Sequence, residues 1–242
     1  MTDTHSSDDP TASHSTGEEG GGIDGRPRAR EIASFLLDIG AVELRPSDPF
    51  TWSSGLVAPI YCDNRRTMAY PRIRRSIRDA FAEFVRRESL LPATIAGTAT
   101  AGIPHAAWLS EVVDAPMAYV RSSAKGHGQG ARIEGVVRPG DEVILVEDLI
   151  STGGSALDAV DALRDADAVV PAVLAIFSYQ LATAAQAFSD AAVKRHVLTT
   201  FETLVDVAHE QGDLSDDERR VLREWREDPG EWSVQHGGTR AS

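Results

Sequence analysis

The stretch VILVEDLISTGGSALDAV, residues 143–160, joins an apolar run to two acids and then to a small, hydroxyl-rich turn that opens a helix. Glu147 and Asp148 close the run, and Leu149, Ile150, Ser151, Thr152, Gly153, Gly154 and Ser155 follow. A turn of this composition frees backbone N–H groups at the positive end of a helix dipole, which suits a phosphate monoester. No Lys follows the glycines, so the loop that grips a nucleoside triphosphate through a Gly-Lys ending is absent. Two adjacent carboxylates beside a phosphate are unfavourable unless something positive or hydroxyl-bearing separates them. A ribose 5-phosphate meets both demands, its ring hydroxyls donating to the acids while its phosphate lies in the turn. An acid pair alone can be a solvated strand end, and two glycines an ordinary turn. The complete string in order is what points to a ligand.

Such a site needs a sheet whose strand ends converge, because ligands of open parallel sheets bind beyond the carboxyl ends of the strands. The pattern of the chain predicts one. AREIASFLLDIG has helical spacing and stops at Gly40, and VELRPSDPFTWSSGLVAPIYCDNR is broken by Pro and Gly into brief extended pieces. PRIRRSIRDAFAEFVRRESL is an amphipathic helix with Pro71 in its first turn and Ile73, Ile77, Phe81 and Phe84 or Val85 on one face. TIAGTATAG then predicts a strand, IPHAAWLSEVV a helix, PMAYVRS a strand, and RIEGVVRPGDEVILVEDL two extended runs about a Pro-Gly-Asp turn. SALDAVDALRDA and LATAAQAFSDA read as helices, VVPAVLAIFSY and KRHVLTTFE as strands. Ser215 and Glu218 have capping-box spacing ahead of the last helix, SDDERRVLREWRED. Strands alternating with helices imply an α/β fold with a mainly parallel sheet covered on both faces.

Composition bounds the function. The chain has 242 residues, 42% of them apolar, enough for one α/β domain. Residues 1–27 are polar and Gly-rich and are expected to be disordered, 28–228 to form the domain, and 229–242 to be a loose tail. A net charge of −13 argues against a general nucleic acid binder. Cys62 is alone, which excludes an internal disulfide. No apolar run approaches the ~18 residues of a membrane span, and no secretion signal opens the chain, so a cytoplasmic location is expected. His5, His14, His196, His209 and His236 have no metal spacing, and His105 reads as a helix residue near the site. The run of Arg72, Arg74, Arg75 and Arg78 reads as a polar helix face, basic enough to touch a dimer partner's acids.

VILVEDLISTGGSA resembles the phosphoribosyl diphosphate motif of the type I phosphoribosyltransferases, whose fold is a parallel sheet with a small hood, here about residues 28–66 plus C-terminal elements. The resemblance implies that Glu147 and Asp148 bind ribose hydroxyls and that Ser151 to Ser155 cradle the 5′-phosphate. Three further segments resemble the orotate phosphoribosyltransferases. FTWSSGLVAPIYCDNR is similar to their hood, implying orotate contacts from Ser54, Gly55 and Tyr61, with Ser151 matching an orotate-contacting hydroxyl. AGTATAGIPHAAW is similar to their first sheet loop, which handles the diphosphate. YVRSSAKGHGQGARIEG is similar to their mobile catalytic loop, with Arg121, Lys125 and His127 at its basic positions. Many members carry a base where this chain has Ser53, Ala101 and Ser122, and a branch with WSSG, TATAG and AKGHG is more similar.

The implied reaction is transfer of a phosphoribosyl group to orotate in pyrimidine (UMP) synthesis, with Asp148, Lys125 and His127 as catalytic residues. Magnesium is implied as the cofactor, held mainly by substrate and water. A homodimer with shared active sites is implied as well, without nucleic acid or membrane partners. The loop chemistry is coherent in itself. Departure of diphosphate from an anomeric carbon builds negative charge on the leaving group, and cations aimed there stabilise the transition state most. Arg121 offers a planar fork, Lys125 a mobile point charge and His127 a donor protonated near neutrality. Gly126, Gly128 and Gly130 let the segment close and exclude water. Transfer to a purine or other base, and non-catalytic sensing of phosphoribosyl diphosphate, are the alternatives.

Overall fold

The computed structural model describes residues 26–52, 54–123 and 132–240. Residues 1–25, within the expected disordered extension, lie outside the described residues, as do Ser53, the segment 124–131 and residues 241–242.

Six strands form the main sheet: β5 (Thr94–Thr98), β6 (Met117–Val120), β7 (Ile133–Gly135), β8 (Glu142–Ile150), β9 (Val169–Ser178) and β10 (Lys194–Thr200). Their order is β10-β9-β8-β5-β6-β7, all parallel except β7, which runs antiparallel to β6. Chain direction across the sheet reverses around β5. Helix α3 (Gly102–Val113) carries the chain from β5 to β6 on one side, whereas β8 lies on the other and leads through α4 (Gly154–Arg164) and α5 (Ala182–Asp190) to β9 and β10.

Strand alternation divides the core. Val143 and Leu145 of β8 pack with Ala156, Val160 and Leu163 of α4 and Phe188 of α5. Ile144 and Val146 point the other way, into a larger core with α1 (Arg26–Asp38), α2 (Pro71–Arg87), α3 and α6 (Phe201–Gln211). Burying both faces explains why β8 and β9 are nearly continuous apolar runs.

The hood consists of two short antiparallel ladders. β1 (Val42–Leu44) pairs with β4 (Ile60–Cys62), and β2 (Phe50–Thr51) with β3 (Val57–Ala58). It is narrower than residues 28–66, because Ile32, Ala33 and Leu36 of α1 are fully buried in the main core. The capping box on Ser215 and Glu218 forms and opens α7 (Asp216–Glu227).

Three boundaries differ from expectation. Helix α1 begins at Arg26, so residues 26 and 27 belong to the domain. The last strand stops at Thr200, whose side chain accepts from the Thr203 N–H and starts α6, a helix not anticipated although Leu204, Val205, Val207 and Ala208 have helical spacing. Residues 229–240 are not a loose tail. Asp228 caps a further helix, α8 (Pro229–Gln235), which buries Trp232 and Ser233 against the hood. Among the described residues no helix is long and apolar enough to cross a membrane.

Candidate active site

The reversal of chain direction leaves a crevice at the carboxyl ends of β5 and β8, where side-by-side connections leave in opposite directions. Two turns border it, Ala99–Ala101 after β5 and Ser151–Gly153 after β8. The first turn of α3 lies directly against β8: a Cβ at Gly102 would stand 2.3 Å from the Val146 carbonyl oxygen, so only glycine fits there. Gly153, with φ +89°, reverses the chain into α4 and leaves that helix N-terminus facing the crevice.

Glu147 continues the row of β8 that faces α4. Its side chain accepts from the Asp148 N–H at 3.0 Å and from the Ser155 hydroxyl at 3.0 Å. It is 4% exposed, and burial, reinforced by the charge of Asp148, pushes its pKa up to about 8. Burial raises Asp148 too, against the opposing pull of its hydrogen bond with Glu147 and of the Arg65 charge. The pair therefore resists full ionisation until hydroxyl donors or cations arrive. Asn64, at the start of a 3-10 turn over residues 64–69, donates to the Asp148 carbonyl at 2.7 Å and ties hood to strand.

A cleft of about 630 Å³ opens between this strand end and the hood. Ser54 and Tyr61 line it from the hood, Leu149 from β8 and Ser151 from the turn after it, together with Trp52, Cys62 and Tyr179. Burial, and next the Asp148 charge, push the Cys62 thiol well up, so it lines the cleft as a neutral group. Arg45 lines the cleft as well, stacked over Phe50 at 4.5 Å and paired with Glu43 at 3.1 Å.

Most of the expected constellation is brought together, with differences. Gly55 does not line the cleft; with φ +83° it packs behind the turn, where an added Cβ would meet the Thr239 hydroxyl at 2.9 Å. The Ile150 side chain is buried in the core on the α4 side, with Val143 and Leu145 rather than with Ile144 and Val146, and its carbonyl accepts from the Tyr179 N–H, so a break in alternation after Glu147 removes it from the crevice. Thr152, Gly154 and Ser155 are exposed at the turn. Arg121 follows β6 at the same end of the sheet, 3.7 Å from Glu134, and one of its guanidinium nitrogens has no hydrogen-bond partner among the described residues. Lys125 and His127 lie outside the described residues. The stem that carries them is well held: the Arg121 N–H donates to the Arg132 carbonyl, Arg132 donates back to the Arg121 carbonyl, and the Arg132 guanidinium grips both oxygens of Asp158 on α4. That guanidinium holds the Asp158 carboxyl below its usual range.

Trp52, Tyr179 and Arg45 were not singled out by sequence. The first two could have been suspected, since an aromatic stands just before the hood turn and another ends β9 at the sheet's carboxyl edge; Arg45 carries no local signal.

Comparison with known proteins agrees with this geometry. Residues 68–214 match the family described as phosphoribosyl transferase domain. The orotate phosphoribosyltransferase of Halalkalibacterium halodurans is 54% identical over 202 residues, covering 84% of this chain and 96% of that protein. That of Bacillus caldolyticus is likewise 54% identical over 202 residues, covering 84% and 98%. Among solved structures, orotate phosphoribosyltransferase from Aeropyrum pernix superposes with a TM-score of 0.65 at 28% identity, covering 76% of this chain and 99% of the other. The crevice, the hood cleft and these relatives lead to one assignment: the chain belongs to the orotate phosphoribosyltransferases, within the phosphoribosyltransferase family of enzymes.

Proposed function

We propose that the protein transfers the phosphoribosyl group of 5-phosphoribosyl 1-diphosphate to N1 of orotate, with magnesium, giving orotidine 5′-phosphate and diphosphate in pyrimidine synthesis. The observation that carries this is the position of the cleft. It shares Leu149 and Ser151 with the strand end that bears the carboxylate pair, so an acceptor base in the hood and a ribose on β8 meet at one wall.

In this reading Glu147 and Asp148 accept from the ribose hydroxyls. The turn from Ser151 through Gly153 and Gly154 to Ser155 holds the 5′-phosphate on free N–H groups, hydroxyls and the dipole of α4. Asp148 also steadies the cationic sugar as the glycosidic bond breaks. Ser151, Ser54 and Tyr61 orient orotate, while Gly55 shapes their turn from behind. Arg121, Lys125 and His127 face the departing diphosphate, and closure of the loop keeps water from the anomeric carbon.

Magnesium suits the oxygen-only donors here. Glu147 and Asp148 would be the carboxylates nearest the ion, with substrate oxygens and water as its other ligands. It would neutralise diphosphate charge.

We further propose a homodimer in which the loop of one subunit serves the site of the other. Its stem lies on β6 and the edge strand β7, two and three strands, or about 10 and 14 Å, from β8, which favours reach outward from the sheet edge.

The test is turnover with a panel of bases, the diphosphate donor and magnesium. Consumption of orotate, followed by its absorbance, with adenine, guanine, hypoxanthine and uracil inert, is expected. Turnover of a purine without orotate would reassign the acceptor, and donor binding without turnover of any base would make the chain a sensor.

A further inference from the structure

The hood turn that carries Trp52 and Ser54 has little to hold it from within. Its ladder has two residue pairs, Phe50 with Ala58 and Thr51 with Val57, and an isolated hairpin that short does not sustain itself in water. Among the described residues its own turn bonds are Trp52 N–H to the Leu56 carbonyl, Gly55 N–H to the Trp52 carbonyl and a long one of 3.4 Å from Leu56 N–H to the Ser54 hydroxyl.

The missing support comes from the far end of the chain. The buried Ser233 hydroxyl accepts from the Val57 N–H at 2.9 Å and donates to the Thr239 carbonyl at 2.6 Å. The Thr239 N–H donates to the Gly55 carbonyl at 3.0 Å, and the Thr239 hydroxyl to the Ser54 carbonyl at 3.3 Å. Contact between the segments is too close for side chains: a Cβ at Gly238 would stand 2.6 Å from a Val57 methyl and 2.5 Å from the Ser233 hydroxyl. Trp52 is then bracketed by Tyr179 and by Trp225 of α7, with ring centroids 6.2 and 6.5 Å away. The turn is thus gripped from behind, while Trp52 and Ser54 form part of the cleft wall in front.

We propose, resting on the assignment of this cleft to the acceptor base, that Ser233, Gly238 and Thr239 form a positioning hook that sets the acceptor side of the site and leaves the donor side untouched. Ser233, Gly238 and Thr239 are positioning residues: they act through Ser54, Gly55 and Val57. The donor side stands on β8 and α4, which the hook does not reach by any of these bonds.

The test measures both Michaelis constants for the full chain and for Ser233→Ala, Gly238→Ala and Thr239→Ala, with Gln235→Ala as a control on the exposed face of α8. Loss of both Ser233 hydroxyl bonds in the first variant, and the clash of the added Cβ with Val57 and Ser233 in the second, should each raise the KM for orotate about tenfold, and loss of the single Thr239 hydroxyl bond several-fold. The KM for the diphosphate donor and the urea unfolding midpoint of Thr239→Ala should stay at wild-type values, and the control should match wild type throughout. Equal rises in the two Michaelis constants, or no rise for orotate, would overturn the hook. Should Gly238→Ala fail to fold, Thr239→Ala decides, since that side chain is exposed. Absence of orotate turnover in the wild type would strike the proposed function instead, so the two failures are told apart.

Discussion

Glu147 holds its proton to about pH 8 because burial and the neighbouring Asp148 charge both oppose ionisation. An unfolded glutamate ionises near pH 4.5. Between these values the unfolded chain binds fewer protons than the folded one, so the stability of the free protein falls as pH rises across this window and levels off above it. Glu147→Gln keeps the shape of the side chain and an acceptor for Ser155 without the charge. It is expected to flatten that slope and to stabilise the free protein at pH 8 by on the order of 1–3 kcal/mol. Urea unfolding at several pH values from about 5 to about 8.5 measures this, and identical slopes in the two proteins would contradict it. At this scale the types and spacing of the acids and hydroxyls were legible in sequence. Their division was not: reading Glu147 to Ser155 as one block overlooked the break in strand alternation that turns Ile150 into the core on the α4 side, and the hood motif did not reveal that Gly55 faces the C-terminal segment.

The strands and most helices could be read because their apolar residues repeat with the periods of buried strands and amphipathic helices. Helix α6 was hidden by its junction with β10, where Thr200 ends a strand and caps a helix at once, so a run of β-branched residues masked the change of period. Helix α8 is short and polar, and its order comes from packing against the hood, which no local pattern records. The loop element leads to a prediction that separates its two ends. If Lys125 serves the neighbouring subunit, a Lys125→Ala chain and an Asp148→Asn chain, each nearly inactive alone, should restore activity when co-expressed. Half of the dimers are mixed and each mixed dimer keeps one intact site, so about a quarter of wild-type activity is expected. Activity no greater than the two inactive variants alone would place the loop over its own site.

Considered whole, the proposed function divides the two substrates between different parts of the chain. The donor side is built on the sheet, at the crevice where chain direction reverses around β5. The acceptor side is built on short ladders that depend on segments more than a hundred residues away in sequence, as the bond from Val57 to Ser233 shows. The measurement that most directly tests whether one site joins these halves is the product balance of wild-type protein given orotate, 5-phosphoribosyl 1-diphosphate and magnesium. One orotidine 5′-phosphate and one diphosphate should form for each orotate consumed; release of diphosphate with ribose 5-phosphate and unchanged orotate would contradict the account.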